Sequence, residues 1–210
     1  MAKLYFRYGA MNCGKTALLL QAAHNYEARN MKVLVLKPAI DTKGGNKVVS
    51  RIGLEREVDH KVPKEENLYE YLQDKIEDVS CIFVDEAQFL QREQVDDLLK
   101  VVVLENIPVI CYGLRTDFHT NGFPGSTRLL ELAHSVEEMK TVCNCGKKAT
   151  FNARFVNGVF TLEGDQVAID GEDEVTYDSL CPECYYKAKE EYEKKKLESS
   201  LEKPKVYTKK

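Results

Sequence analysis

A run of residues near the amino terminus has the types and spacing needed to hold a triphosphate. The pattern G-x-x-x-x-G-K-[ST] is matched in full by Gly9, Ala10, Met11, Asn12, Cys13, Gly14, Lys15 and Thr16. Glycine lets the backbone wrap closely enough to point N–H groups at phosphate oxygens, and the helix predicted after the loop presents its positive end to the anion. Lys15 is expected to reach the β- and γ-phosphates and Thr16 to offer its hydroxyl to Mg²⁺. The segment therefore predicts an ATP-binding loop.

Two carboxylates follow an apolar strand predicted over 81–84. Asp85, at the strand's carboxyl end, is expected to hold Mg²⁺ directly or through water. Glu86, next in the chain, would lie beside the γ-phosphate, where a carboxylate can accept a proton from an attacking hydroxyl or water. The pair predicts metal-assisted phosphoryl transfer with Glu86 as general base.

Four of the seven cysteines are clustered late in the chain, as Cys143, Cys145, Cys181 and Cys184. An odd total in a chain without an export signal argues against a disulfide framework. Four thiolates suit a closed, tetrahedral structural Zn²⁺ site, to which we assign no catalysis. The first pair has only one intervening residue, and the glycine that follows it permits a sharp turn.

Strands alternate with helices through the first half of the chain. Strands are predicted over 4–8, 32–36, 81–84 and 107–112, helices over 15–29, 64–77 and 91–105, and a polar loop over 40–56. This alternation predicts an α/β domain, a parallel sheet with helices on both faces. We expect that domain over 1–138, a small zinc-stapled unit over 139–187 and a charged, disordered tail over 188–210. Residues 186–197, which are mostly lysine and glutamate, fit either a solvated helix or part of that disordered tail.

Composition restricts the function further. The net charge is −4 and the pI is near 5.7. Because nucleic-acid-binding proteins usually carry a basic surface, this charge argues against nucleic-acid binding as the main function. No apolar run approaches the ~20 residues that span a membrane. The amino terminus has no signal-peptide pattern, so we expect a cytoplasmic protein without a membrane partner.

The order of these motifs resembles the zinc-containing, type II thymidine kinases over almost the whole chain, from Lys3 to about Lys187. The resemblance adds several shorter segments to the phosphate loop, the two carboxylates and the cysteine pairs. These segments are 37–41 (KPAID), 50–53 (SRIG), 85–89 (DEAQF), 112–118 (YGLRTDF) and 166–171 (QVAIDG) leading to Tyr177.

The family implies a RecA-like ATP-binding domain and a zinc-stapled lasso domain, with thymidine between them. Its reaction transfers the γ-phosphate of ATP to the 5′-hydroxyl of thymidine for deoxynucleoside salvage and DNA synthesis, with Glu86 as base. The resemblance adds Gln88, Arg51 and Asp41 to the ATP site. It places in the nucleoside site Met11, Phe89, Leu114, Phe118, Asn152, Val167, Ile169, Gly171 and Tyr177. It also implies a homotetramer and feedback inhibition by dTTP. The acidic composition adds the expectation of no stable nucleic-acid partner.

Some positions depart from the family pattern. Asn12-Cys13 stands where many members have Phe-Ser, and Lys43 stands where arginine is common, which replaces a bidentate phosphate contact by a point charge.

Two other functions fit parts of the sequence. A RecA-like ATPase or helicase could use the zinc unit on nucleic acid, because Asp85-Glu86-Ala87-Gln88 resembles a helicase box. A non-catalytic zinc-binding interaction module is the other, and the complete phosphate loop argues against it.

Overall fold

The computed structural model describes residues 1–164 and 175–201, with side chains through 199. The strands in these ranges are β1 (Leu4–Tyr8), β2 (Lys32–Pro38), β3 (Lys47–Val49), β4 (Glu55–Glu57), β5 (His60–Val62), β6 (Val79–Val84), β7 (Val109–Gly113), β8 (Ser135–Glu138), β9 (Thr141–Val142), β10 (Lys148–Ala149), β11 (Phe151–Val156), β12 (Val159–Thr161) and β13 (Val175–Leu180). The helices are α1 (Lys15–Glu27), α2 (Leu68–Gln73), α3 (Arg92–Leu104), α4 (Pro124–Leu132) and α5 (Pro182–Leu201), and a 3₁₀ turn covers Ala87–Phe89.

The central sheet has six strands in the order β5-β2-β6-β7-β1-β8, and every neighbouring pair is parallel. Side chains alternate between its faces, as the strand period requires. On one face, Leu19 and Ala23 of α1 pack with Val35 and Phe83 of the sheet. The other face is covered by α2, α3 and α4 around Ile82 and other buried strand residues. The predicted parallel α/β sheet with helices on both faces is confirmed.

Several elements differ from the sequence-based prediction. Helix α2 is shorter than the predicted 64–77, because Asn67 caps it and its side-chain oxygen accepts a hydrogen bond from the Glu70 N–H at 3.2 Å. The predicted polar loop contains the short hairpin β3–β4, in which Val48 is buried. Strands β5 and β8 and helix α4 were not predicted. The two strands are short and polar, and they are extended because each pairs with a longer neighbouring strand.

The carboxyl-terminal unit is built on small antiparallel sheets. Strands β9 and β10 pair as a hairpin, and β11 lies between β12 and β13. Its core includes Ala153, Phe160 and Tyr185. None of the described helices combines the length and apolar character needed to cross a bilayer.

Of the two alternatives for residues 186–197, the helix is the one that the structure shows, and α5 continues as far as Leu201. The expectation of a disordered tail from residue 188 is therefore wrong for residues 188–201. The Tyr192 ring packs edge-on against Phe160 with centroids 6.2 Å apart. Lys196 Nζ also contacts Glu163 Oε1 at 2.8 Å. These contacts give the lysine- and glutamate-rich helix a partner that its sequence pattern does not reveal. Residues 202–210 lie outside the described part of the chain.

Candidate active site

The phosphate loop leaves the carboxyl end of β1 and enters α1, as the motif predicts. Gly14 has a φ of 80°, a left-handed conformation that glycine adopts without strain, and α1 begins at Lys15. The buried Lys15 ammonium donates to Ala10 O at 2.9 Å and approaches Gly9 O at 3.4 Å and Cys13 Sγ at 3.5 Å. The loop is therefore folded around its own cation, which is positioned to exchange these contacts for phosphate oxygens.

The two residues expected to hold Mg²⁺ lie in contact. Thr16 Oγ1 donates to Asp85 Oδ2 at 3.1 Å, although the two residues are far apart in sequence. Burial, together with the neighbouring charge of Glu86, raises the pKa of Asp85 to about 7. A bound cation would favour the ionised form. A hydroxyl beside a buried carboxylate is an oxygen donor set that fits Mg²⁺.

Glu86 occupies a left-handed turn between β6 and the 3₁₀ turn, with φ 49° and ψ 36°. Its Oε2 accepts a hydrogen bond from Gln88 Nε2 at 2.5 Å. The other end of the fully buried Gln88 amide accepts from the Leu114 N–H at 3.0 Å. Gln88, expected in the ATP site, thus orients the Glu86 carboxylate and ties it to the loop after β7.

Helix α4 packs its first turn directly on the backbone that carries Glu86. A Cβ at Gly125 would lie 2.5 Å from Ala87 O and 2.8 Å from Leu90 O. Backbone atoms cannot move aside as a flexible side chain can. We expect Gly125→Ala to lower the free energy of unfolding by about 1–3 kcal/mol, the usual cost of overpacking. Urea denaturation measures this change.

Gly122→Ala is the matched control for that measurement, because its Cβ would meet only the end of a side chain, Thr127 Oγ1, at 2.8 Å. It should cost clearly less. Equal losses for the two variants would contradict the inferred close packing of α4 on the Glu86 turn.

Two cavities open on either side of Glu86. The first, of about 290 Å³, is lined by the phosphate loop and by Ser50, Arg51 and Ile52. The second, of about 580 Å³, is lined by residues of the loops after β2, β6 and β7 together with Asn152 and Tyr177. The walls common to both cavities are Met11, Lys43, Glu86 and Leu114. Glu86 therefore forms part of the wall of both cavities.

The second cavity has aromatic walls, including the predicted Phe89, Phe118 and Tyr177. Phe123 joins them and meets Phe89 edge-on with centroids 5.5 Å apart. Phe123 is not among the residues predicted from the sequence, although its place before Pro124, the first residue of α4, is a signal that the sequence contains. Three other residues predicted for the nucleoside site, Val167, Ile169 and Gly171, lie outside the described residues.

Asp41 lies in a loop held down by a buried ammonium group. Lys37 is 1% exposed, and its Nζ donates to Asp41 Oδ2 at 2.9 Å and to Lys43 O at 2.7 Å. The carboxylate expected beside the phosphates is thus paired with Lys37, and it shapes the loop that carries Lys43 to both cavities. Arg51 is exposed on the wall of the first cavity, where its guanidinium can meet a phosphate.

The four clustered cysteines come together. Their sulfur atoms all lie within 4.8 Å of one another, and Cys145 and Cys181 are 3.5 Å apart. Around a tetrahedral zinc, Zn–S bonds of about 2.3 Å place sulfurs about 3.8 Å apart, so the cluster is compatible with zinc. Gly146, with φ 84°, allows the tight turn in which the Gly146 N–H donates to Cys143 O at 2.8 Å.

The thiols are also electrostatically suited to a cation. Burial alone would raise the pKa of Cys143, but hydrogen bonds from the backbone N–H groups of Cys145 and Cys181 lower it to about 7. The hydrogen bond with Cys145, followed by those with the other two thiols, raises the pKa of Cys184 to about 12. Because thiolates are the form that binds a metal, a cation bound at this cluster would displace the protons that the thiols share.

Comparison with known proteins identifies the family. The family model described as "Thymidine kinase" matches residues 2–185. The thymidine kinase of Enterobacteria phage T4 is 49% identical over 185 residues, covering 86% of this chain and 94% of the phage protein. The thymidine kinase of Chromobacterium violaceum is 45% identical over 188 residues, covering 89% of this chain and 99% of the bacterial protein. The chain belongs to the thymidine kinase family.

Membership of the thymidine kinase family decides between the alternatives left open by the sequence. The match includes the phosphate loop, both carboxylates and all four cysteines of the cluster within one family pattern, and it ends one residue after the fourth cysteine. It therefore favours a kinase over a helicase-type ATPase with an appended nucleic-acid-binding zinc unit. It also disfavours a non-catalytic interaction module, because the family is one of kinases.

Proposed function

We propose that this protein phosphorylates thymidine at its 5′-hydroxyl, using Mg-ATP as donor. The observation that carries the proposal is that the two cavities meet at Glu86. The smaller cavity is lined by Lys15 and Thr16 and suits a triphosphate. The larger one, with aromatic walls and several polar side chains, suits a nucleoside, which has an apolar base face and polar edges. A general base at the junction is what transfer between two bound substrates requires.

In the proposed step the 5′-hydroxyl oxygen attacks the γ-phosphorus. The bond from that phosphorus to the β,γ-bridging oxygen breaks, ADP leaves, and the hydroxyl proton passes to Glu86. Lys15 and the loop N–H groups neutralise the charge on the transferred group. Gln88 holds the Glu86 carboxylate by its 2.5 Å hydrogen bond, so the base faces the junction without reorganising. Thr16 and Asp85 would hold Mg²⁺, which neutralises phosphate charge when bound.

Phe89, Phe118, Phe123 and Tyr177 are proposed to enclose the thymine ring, because stacked and edge-on aromatic contacts suit a flat base. Met11, Leu114 and Asn152 complete the wall nearest the phosphate loop. The segment containing Val167, Ile169 and Gly171 is proposed, from the family resemblance, to close over the base with its backbone groups.

Several broader properties are proposed on the same family basis. They are a lasso domain over 139–187 stapled by zinc at the four cysteines, a homotetrameric assembly, feedback inhibition by dTTP and a cytoplasmic location. The net charge of −4 supports the further proposal that no nucleic acid is a stable partner.

An ATP-dependent phosphorylation assay across the four natural deoxynucleosides and deoxyuridine tests the function. We expect ADP release that depends on nucleoside and a strong preference for thymidine. ATP hydrolysis stimulated by DNA or RNA, with no nucleoside dependence, would instead support the helicase-type alternative. An equal rate for all the nucleosides would contradict the thymidine assignment.

A further inference from the structure

We propose that Asn152 and Ser179 are positioning residues that hold the phosphate loop in shape, so that the carboxyl-terminal unit contributes to ATP affinity as well as to nucleoside binding. The inference rests on the proposed function, because it concerns the same ATP site. It assigns a role to two polar side chains that face the loop from another part of the chain.

Both backbone polar groups of Met11 are bound by this pair. The Met11 N–H donates to Asn152 Oδ1 at 2.8 Å, and Ser179 Oγ donates to Met11 O. Asn152 and Ser179 are directly opposite each other in the β11–β13 register. One cross-strand pair therefore clamps a single residue in the middle of the phosphate loop.

The clamp formed by Asn152 and Ser179 is buried and also contacts the loop that follows β7. Asn152 and Ser179 are 4% and 3% exposed. The Asn152 amide also donates from Nδ2 to Thr116 O at 2.8 Å. Because buried polar groups lose their hydration, a partner lost here leaves a backbone group unsatisfied, and the loop must shift to recover a hydrogen bond. Since the Met11 N–H is already occupied, Met11 contributes loop shape rather than an N–H group to the phosphates.

The same strand carries a nucleoside contact. Tyr177 lies two residues before Ser179, on the same face of β13, and lines the larger cavity. A nucleoside packed on Tyr177 and the clamp on Met11 thus act on one short strand. Any change in ATP affinity that a bound nucleoside causes through β13 must be matched by an equal change in nucleoside affinity caused by ATP.

A neighbouring pair of contacts joins the clamp to the cluster of four cysteines. Asn12 Nδ2 lies 3.5 Å from Asp178 Oδ1, and Asn144 Nδ2 lies 3.3 Å from Asp178 Oδ2. These contacts are longer and more exposed than the Met11 contacts, so we assign the main effect to Asn152 and Ser179. Asn144 stands between two of the clustered cysteines, which places the clamp and the cysteine cluster on one connected unit.

The test is the affinity of the full-length protein for a non-hydrolysable ATP analogue with Mg²⁺, measured by calorimetry without nucleoside. We expect Ser179→Ala to weaken binding at least about fivefold, as expected for a buried carbonyl that loses its donor. Ser179→Thr keeps the hydroxyl and should restore most of the affinity. Thr176→Ala removes an exposed hydroxyl from the same strand and is the matched control, expected to bind like wild type. Asn152→Ala should cause a similar loss of analogue affinity, and it provides the test if Ser179→Ala does not fold.

The outcomes separate this inference from the proposed function. Wild-type affinity in Ser179→Ala, or equal losses in Ser179→Ala and Thr176→Ala, would overturn the clamp and leave the kinase assignment standing. If wild-type protein binds the analogue but phosphorylates no nucleoside, the proposed function fails and the clamp can still be measured. Loss in Ser179→Ala, recovery in Ser179→Thr and no change in Thr176→Ala would support it.

Discussion

Replacing Glu86 by glutamine should lower thymidine turnover by about 100-fold or more, the usual contribution of a positioned general base. The amide has nearly the same shape as the carboxylate but cannot take the hydroxyl proton. Its oxygen can still accept the hydrogen bond from Gln88 Nε2, which in the native protein is 2.5 Å long. The turn should therefore persist, and Mg-ATP analogue affinity should stay close to wild type. Turnover and calorimetric binding, measured on one preparation, separate the two effects.

The matched control for this substitution is Glu105→Gln, which makes the same chemical change at an exposed position after α3. It should leave turnover unchanged. Near-normal turnover in Glu86→Gln would remove Glu86 from the role of base. A parallel loss of analogue affinity would instead assign Glu86 to binding and weaken the proposed proton transfer.

Loss of one cysteine of the cluster should disorganise the carboxyl-terminal unit and with it the nucleoside site. Where the ligands come together only in the folded protein, the free energy of metal binding stabilises the fold. Mutation of a residue that only hydrogen-bonds to a metal ligand lowers metal affinity roughly 10–100-fold. Cys181→Ser removes a ligand itself, so it should lower zinc affinity by more than that. Because Cys181 directly follows β13, the strand that carries Tyr177, thymidine affinity should fall with zinc content. Chelation of the native protein should give the same result.

Three measurements check this prediction: zinc content by atomic absorption, thymidine affinity by calorimetry, and amide hydrogen exchange of β11 and β13. Cys13→Ser makes the same substitution in the phosphate loop and should leave zinc content and exchange of these strands unchanged. Unchanged thymidine affinity in a zinc-free preparation would refute the structural role of the metal.

The chemistry of the site could be predicted from sequence because it depends on short local patterns. Gly9 to Thr16 needs a strand before it and a helix after it, and both are visible from apolar spacing. Asp85 and Glu86 follow an apolar run whose end fixes their place at the carboxyl edge of a parallel sheet. The cysteine pairs carry their own spacing. Residue types alone thus predicted the α/β class, the phosphate loop and the four-thiol cluster.

The positions of side chains that act through long-range contacts were decided only by the tertiary structure. Gln88 holds Glu86, Lys37 holds the loop with Asp41, and Phe123 joins the aromatic wall, and none of these follows from local periodicity. The strand order places β7 between β1 and β6, so the phosphate loop and Asp85 meet across an intervening strand. The same holds for the pairing of Asn152 with Ser179 beneath Met11. Sequence determines which groups can do the chemistry, whereas packing between distant segments determines which of them face one another, because hydrogen bonds and burial depend on neighbours that local spacing does not specify.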